Sequence, residues 1–362
     1  MNKGIKLRIY PNKEQKNLIN QTFGCTRLVY NAGLDLRNKM HDAKYSSTSA
    51  MLTCLKKSDE FSFLKDVDSI ALQQSLRDLD RAFVNFFQFR GRYPRFKSKK
   101  DNFQSYRTIN QKGSIRFVGN KIKLPKVGLI KVRKSLDIDD ASINHVTVEK
   151  VPSGKYFVVL NIEFEPIRLP VSNNQIGIDV GIKDFYSDSN GYIEQNPKYL
   201  EKSMRKLIRE QRRLSRKVKG SNNSTKQRIK VAKVHEKISN QRNDYLHKLS
   251  STLINENQVI CVEDLNIKGM IRNHKLAMHI ASASWSKFFE LLTYKSDWYG
   301  RTLIKIPTIY PSSQTCSCCG YKNPIVKNLA VRNWECPNCN SIHDRDVNAA
   351  INILNKGLSL SA

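Results

Sequence analysis

Three short acidic motifs in the C-terminal half hold the residues best suited to chemistry. They are Gly177-Ile178-Asp179-Val180-Gly181, Val262-Glu263-Asp264-Leu265 and His343-Asp344-Arg345-Asp346-Val347-Asn348-Ala349-Ala350. A site that cuts phosphodiesters with two divalent metals needs a few carboxylates gathered from separate elements, and these motifs supply them in order. Two Mg2+ ions roughly 3.5–4 Å apart, bridged by one carboxylate, would activate the attacking water and stabilise the leaving 3′ oxygen. Mg2+ keeps most of its waters, so three acids suffice for a pair of ions. Without metal, clustered carboxylates repel and raise one another's pKa, so fold stability alone gives no reason to gather them. Asp179 is expected as the bridging ligand, with Glu263 and Asp346 completing the set. The bland alternative for Asp179, between glycines, is a turn or capping residue. Asp264 competes with Glu263, although strand alternation would aim only one of the two at the site. Asp344 is read as a helix N-cap, which leaves Asp346 as the ligand.

Between the last two motifs lie Cys316-Ser317-Cys318-Cys319-Gly320 and Cys336-Pro337-Asn338-Cys339, a CxxC…CxxC pair with 16 residues between. That spacing predicts one structural Zn2+ held by Cys316, Cys319, Cys336 and Cys339, with Cys318 a spare thiol. Such a closed site stabilises a segment too small to fold alone. A redox role is disfavoured because both pairs are present. The remaining thiols, Cys25, Cys54 and Cys261, stand apart, a pattern that fits a reducing interior rather than a disulfide framework.

The elements that must position these groups are read from periodicity. Residues 3–10 alternate and predict a strand ended by Pro11, and from Asn12 to about Gln88 the pattern is helical. Phe89-Arg90-Gly91-Arg92-Tyr93-Pro94-Arg95-Phe96-Lys97-Ser98-Lys99-Lys100 breaks the last helix with cations and aromatics interleaved, which suits phosphate contact with base stacking. Short β-rich runs follow at 114–117, 121–124, 129–132, 145–151 and 155–163, and predict a small barrel that the N-terminal strand would join. Near Val171 a second architecture begins. Strands at 175–183, 258–262 and 302–309 and a closing helix at 346–355 surround a long helical excursion, about 200–218 and 225–254. Acids on two strands and on the final helix make this the RNase H arrangement.

The chain has 62 Lys+Arg against 32 Asp+Glu, a formal net charge of +30. Nucleic acid is the expected partner, because phosphate contacts release counterions and relieve the self-repulsion. From Lys198 to Lys248 there are 17 Lys/Arg against 4 Asp/Glu, so the polar face of the helical hairpin reads as a cationic rail. No secretory signal opens the chain and no apolar run of about 18 residues could span a bilayer. A cytoplasmic protein, nucleoid-associated when on its target and with no membrane partner, is expected.

With these residues in place the chain resembles the TnpB family, transposon-encoded RNA-guided nucleases related to the type V CRISPR effectors. The resemblance rests on the strand–Pro11–helix opening, Pro94-Arg95-Phe96-Lys97, the Asp179 motif, the His235…Asn240…Arg242…Asp244 helix, Glu263-Asp264-Leu265, both CxxC pairs and the Asp346 motif. It implies a mixed α/β multidomain fold. Residues 1–11 would give the first strand of a wedge barrel, 12–100 an inserted helical recognition lobe and 101–170 the rest of the barrel. Residues 171–362 would form a RuvC-like nuclease domain with a basic helical hairpin at 198–255 and a zinc ribbon at 312–342. It also implies a bacterial or archaeal protein that carries a guide RNA from the transposon end, recognises a short motif beside double-stranded target DNA, and cuts that DNA. Asn340 stands where the family often has glycine.

Two other readings use the same scaffold: an RNA-guided DNA-binding repressor that does not cut, and a transposase or its accessory protein. All three acids are present, against the first, and no strand-joining domain or tyrosine nucleophile stands out, against the second. For the adjacent motif the expected contacts are Tyr45, Gln73, Gln74, Arg77, Arg107 and Thr108, since amides and hydroxyls read base edges while arginine holds phosphate. Arg95, Lys97 and Arg242 are further candidates for nucleic-acid contact.

Overall fold

The computed structural model describes every residue except 41, 102, 135–137, 139–141 and 362. It divides into two compact units, Met1–Glu165 and Pro166–Ala362.

In the first unit, strand β1 (Asn2–Tyr10) leads into three helices, α1 (Lys13–Lys39), α2 (Tyr45–Lys57) and α3 (Ser69–Phe87), with a 3-10 segment at Asp59–Lys65. Helix α1 opens on a reciprocal cap: Asn12 Oδ1 accepts from the Gln15 N–H at 2.8 Å, and Gln15 Oε1 accepts from the Asn12 N–H at 3.0 Å. Six strands follow: β2 (Gln104–Ile109), β3 (Arg116–Val118), β4 (Lys121–Leu124), β5 (Gly128–Arg133), β6 (Ile143–Lys150) and β7 (Tyr156–Glu163). They join β1 in one antiparallel sheet, ordered β2-β6-β7-β1-β5-β4-β3. Alternation along β1 turns Ile5, Leu7 and Ile9 into a core shared with Val146, Val158, Leu160 and Ile122. The expected small barrel is present as an open half-barrel: among the described residues β3, three residues long, pairs with β4 alone, and β2 with β6 alone.

The second unit is built on strands β8 (Gln175–Val180), β9 (Asp184–Asp188), β10 (Ile193–Gln195), β11 (Val259–Glu263) and β12 (Thr302–Ile306), ordered β10-β9-β8-β11-β12. β8, β11 and β12 run parallel, while β9 pairs antiparallel with both β8 and β10. Helices α4 (Tyr199–Ser215) and α5 (Asn222–Glu256) form the hairpin between β10 and β11, closed by Leu207, Val234 and Ile238. α6 (Ile267–Met270), α7 (Ala277–Ala283) and α8 (Trp285–Tyr299) precede β12. Two short strands, β13 (Asn333–Glu335) and β14 (Ile342–Asp344), form a small ribbon, and α9 (Arg345–Ser361) closes the chain. Among the described residues no helix is long and apolar enough to cross a membrane.

Alternation along β8 and β11 sorts the side chains by face. Ile176, Ile178, Ile260 and Val262 enter a core with Leu246 and Ile254 of α5 and Phe288, Leu291 and Leu292 of α8. The opposite face carries Cys261, buried with Ile306 of β12 and Ile353 of α9. Gly177 and Asp179 of β8 share that second face, as does Glu263 of β11.

Candidate active site and metal centre

The register of the central strands sets two of the three acids side by side. Val262 pairs with Ile178 in the parallel β8–β11 ladder, so Glu263 and Asp179 are each the next residue at the C-terminal ends of neighbouring strands. Asp346 arrives from the other direction, in the first turn of α9. A Cβ on Gly177 would fall 2.1 Å from the Ala350 carbonyl oxygen, and one on Gly357 would fall 2.3 Å from Cys261 Sγ. Only glycine at both places lets α9 lie directly on the strands that carry Asp179 and Glu263.

The electrostatics record this convergence. Enclosure by protein pushes the Asp179 carboxyl well above the usual carboxylate range, and the negative fields of Glu263 and Asp346 push it further, against Arg345 and Arg332. Burial also raises Glu263, opposed by Ser312, whose hydroxyl donates to Glu263 Oε1 at 2.5 Å. Asp346 Oδ2 accepts from Arg332 Nη1 at 2.9 Å. Asp344 caps α9: its Oδ1 accepts from the N–H groups of Asp346 and Val347 at 2.9 and 3.0 Å. Asp264 is exposed beyond the strand end.

The four cysteines form a second centre. The sulfurs of Cys316, Cys319, Cys336 and Cys339 all lie within 4.8 Å of one another, with Cys316–Cys339 and Cys319–Cys336 each 3.6 Å apart. A tetrahedral ion with metal–sulfur bonds of about 2.3 Å needs sulfurs roughly 3.8 Å apart, so this donor set fits one metal. The two knuckles repeat one pattern: the N–H of Gly320 reaches the Cys316 carbonyl at 2.9 Å, and that of Asn340 reaches the Cys336 carbonyl at 2.8 Å. Both turn residues are left-handed, Gly320 at φ 77° and Asn340 at φ 57°, and asparagine is among the few other residues that tolerate that region. Cys318 is exposed, and it forms a second possible donor set with Cys316 and His343.

Several site residues were invisible to spacing. His343 Nε2 lies 3.1 Å from Cys316 Sγ, and its ring packs on Trp334 with centroids 4.7 Å apart. Asn348 takes the Ser317 N–H at 2.9 Å and donates to the Thr315 carbonyl at 2.8 Å, while Asn352 donates to Ser312 and Thr315 carbonyls at 2.8 and 2.6 Å. The ribbon is thereby bolted to the helix that bears Asp346. Only the asparagines carried a signal, their four-residue spacing on one helix face.

The nucleic-acid candidates divide. Gln73 and Arg95 are exposed, and Lys97 holds its ammonium 3.9 Å from the Tyr30 ring centre. Arg77 is exposed and lies over the Tyr45 ring at 4.8 Å. Gln74 and Thr108 correct the expectation: both are buried, and the Thr108 hydroxyl donates to Asp68, the N-cap of α3, at 2.5 Å. The Thr108 hydroxyl serves the fold and Gln74 is enclosed by it, so neither presents itself to a base edge. Arg107 pairs with Asp78 at 2.5 Å, and Arg242 donates to the Ala281 carbonyl at 3.1 Å.

Comparison with known proteins decides the family. A Streptomyces pristinaespiralis protein named "Putative RNA-guided DNA endonuclease" is 40% identical over 99% of this chain and 90% of its own length. The chain belongs to the TnpB family. A second relative of this TnpB protein, Escherichia coli K12 "Putative RNA-guided DNA endonuclease InsQ", is 31% identical over 99% of the chain and 93% of that protein. Family models described as "Probable transposase", "Cas12f1-like, TNB domain" and "Helix-turn-helix domain" match residues 147–274, 285–353 and 1–44 of the chain. Among its described residues the last span holds one strand and one 27-residue helix, β1 and α1. The fold of a solved Cas12f1–sgRNA–target DNA complex aligns over 98% of this chain and 99% of that one, with a TM-score of 0.62 at 15% identity.

Proposed function

We propose that this TnpB-family chain is an RNA-guided, metal-dependent DNA endonuclease of an insertion sequence that cuts beside a short adjacent motif. One observation carries the reading: Asp179 and Glu263 end neighbouring parallel strands, and α9 brings Asp346 close enough to raise the Asp179 carboxyl. The strand order and the acid placement support an RNase H-like, RuvC-type domain. The half-barrel and α1–α3 support a wedge with an inserted recognition lobe.

The donor set fits hard cations. Asp179, Glu263 and Asp346, on two strand ends and a helix start, would be the residues to hold Mg2+. When bound there, Mg2+ would lower the pKa of an attacking water and neutralise charge developing on the leaving oxygen. The chain's own part is to hold the acids in place. Ser312 orients Glu263, the glycine contacts fix α9, and the ribbon braces the start of that helix. The four thiolates would hold one structural Zn2+.

The names of the relatives support a guide RNA and a DNA target; a guide drawn from the transposon end and a double-stranded target complete the proposal. The test is plasmid cleavage by protein co-expressed with its flanking transcript. The target carries a randomised flank, and Mg2+, EDTA and Asp179→Ala arms are compared. Guide-dependent cutting that requires Mg2+ and is lost in the variant is expected. Guide-dependent binding without cutting, equal in wild type and variant, would make this a targeting protein instead.

A further inference from the structure

The end of α3 holds an arrangement that the fold does not explain. The N–H of Phe89 reaches the Phe86 carbonyl at 3.0 Å, and that of Arg90 reaches the Asn85 carbonyl at 2.8 Å, the paired bonds of a Schellman turn. The residue after the cap in this turn must be left-handed, and it is usually glycine. Here it is Phe89, at φ 56°, a residue 98% exposed. A bulky side chain in that conformation is strained, and a ring in open solvent returns nothing to the fold.

The chain after Phe89 is held rigidly along α1. The Tyr93 hydroxyl donates to Asn38 Oδ1 at 2.7 Å, and the Tyr93 ring packs edge-on against Phe83 and Phe86. Further on, the Asn31 amide brackets the Lys97 backbone, donating to its carbonyl at 2.9 Å and accepting from its N–H at 2.8 Å. Phe96, between these ties, is 57% exposed. Arg90, Arg92 and Arg95 are exposed, with no acidic partner among the described residues.

We propose that Phe89, with Phe96 and these three arginines, is a stacking platform for unpaired nucleotides of the guide RNA. Bases in a duplex are already stacked and show only their edges, so a protruding ring with both faces open selects an unpaired base. The flanking guanidiniums supply the complement to its phosphates. A resident RNA, rather than a transiently visited target, keeps the apolar ring covered for most of the protein's life. The inference rests on the RNA-guided reading above.

The experiment measures binding of the native flanking transcript to the full chain, as wild type, Phe89→Gly and Phe89→Trp, alongside melting temperatures of the free proteins. Glycine relieves the left-handed strain, so Phe89→Gly should melt at the same temperature as wild type or higher. Its RNA affinity should fall about 5- to 150-fold, the range for loss of one base–aromatic stack, and Phe89→Trp should retain it. Ultraviolet crosslinking of the wild-type complex should join the Phe89 peptide to an RNA nucleotide. Unchanged affinity in Phe89→Gly with no crosslink would overturn the proposal, as would a crosslink formed only with added target DNA. Failure of the wild type itself to bind the transcript would instead sink the RNA-guided reading, and this platform with it.

Discussion

Gly177 and Ala350 approach so closely that any side chain on Gly177 would strike the Ala350 carbonyl oxygen. The contact decides where α9, and with it Asp346, can lie. Gly177→Ala should force the helix off the sheet and destabilise the second unit by about 1–3 kcal/mol, as overpacking of a tight core does. An apparent melting temperature lower by roughly 2–12 °C is expected, with nuclease activity falling more than stability explains. Gly4→Ala is the control, since a Cβ there meets nothing within 4 Å. Equal melting and activity for both variants would show that the α9 contact is soft.

Asp179 should act as a source of instability until a cation arrives. Its carboxyl is raised by burial and by two neighbouring acids, so the folded chain favours its protonated form. The sign follows: this contribution is fully present below the ordinary carboxylate pKa, and it is lost as pH rises through the raised value. At neutral pH in EDTA, Asp179→Asn should therefore melt higher than wild type. Mg2+ should raise the wild-type melting temperature and leave the variant almost unmoved. Calorimetry with and without 10-fold steps of Mg2+ reads both effects, and a metal shift that survives in the variant would place the ions elsewhere.

The sequence made some of these relationships legible and hid others, for physical reasons. β8, β11 and α9 were readable because burial on one face writes a period of 2 or 3.6 into the chain. The cysteine pairs were readable because ligand spacing is local. The β9–β10 return was missed: Ser187 and Asp188 are buried, and Asp188 Oδ1 takes the N–H groups of Asn190 and Tyr192 at 2.8 and 2.9 Å, so polar residues sit where a strand pattern expects apolar ones. Strand β2 was likewise not foreseen, and the burial of Gln74 and Thr108 went with it. Arg332 on Asp346 and Ser312 on Glu263 bridge 14 and 49 residues of sequence, and no periodicity encodes such partners.

The ribbon offers two donor sets, and mutagenesis separates them. In the four-sulfur set Cys336 is essential and Cys318 idle, whereas Cys318 is essential in the set with His343. One zinc per chain is expected in wild type and in Cys318→Ser, measured by elemental analysis, and none in Cys336→Ser. Loss of metal should also free Thr315 and Ser317 from Asn348, loosening the start of α9. Hydrogen exchange at 345–350 should therefore rise in Cys336→Ser. Zinc lost from Cys318→Ser would favour the alternative set.

Lys295 gives the molecule a second pH dependence, on other elements than these acids. It is buried on α8, and its ammonium donates at 2.8 Å to the His247 carbonyl and to the hydroxyls of Ser250 and Ser251, all on α5. Burial pulls its pKa down from 10.5 to about 8 despite those bonds. A lysine depressed in the folded state binds fewer protons there than in the unfolded chain between pH 8 and 10.5, so it should add stability as pH rises through that window. Lys295→Met removes the titration. Its melting temperature relative to wild type should be highest near pH 7 and fall by pH 9.5, where the neutral amine of the wild type carries no charge to desolvate and still donates two of its hydrogen bonds. Parallel melting curves for the two proteins across that range would mean that the lysine stays fully charged inside the fold.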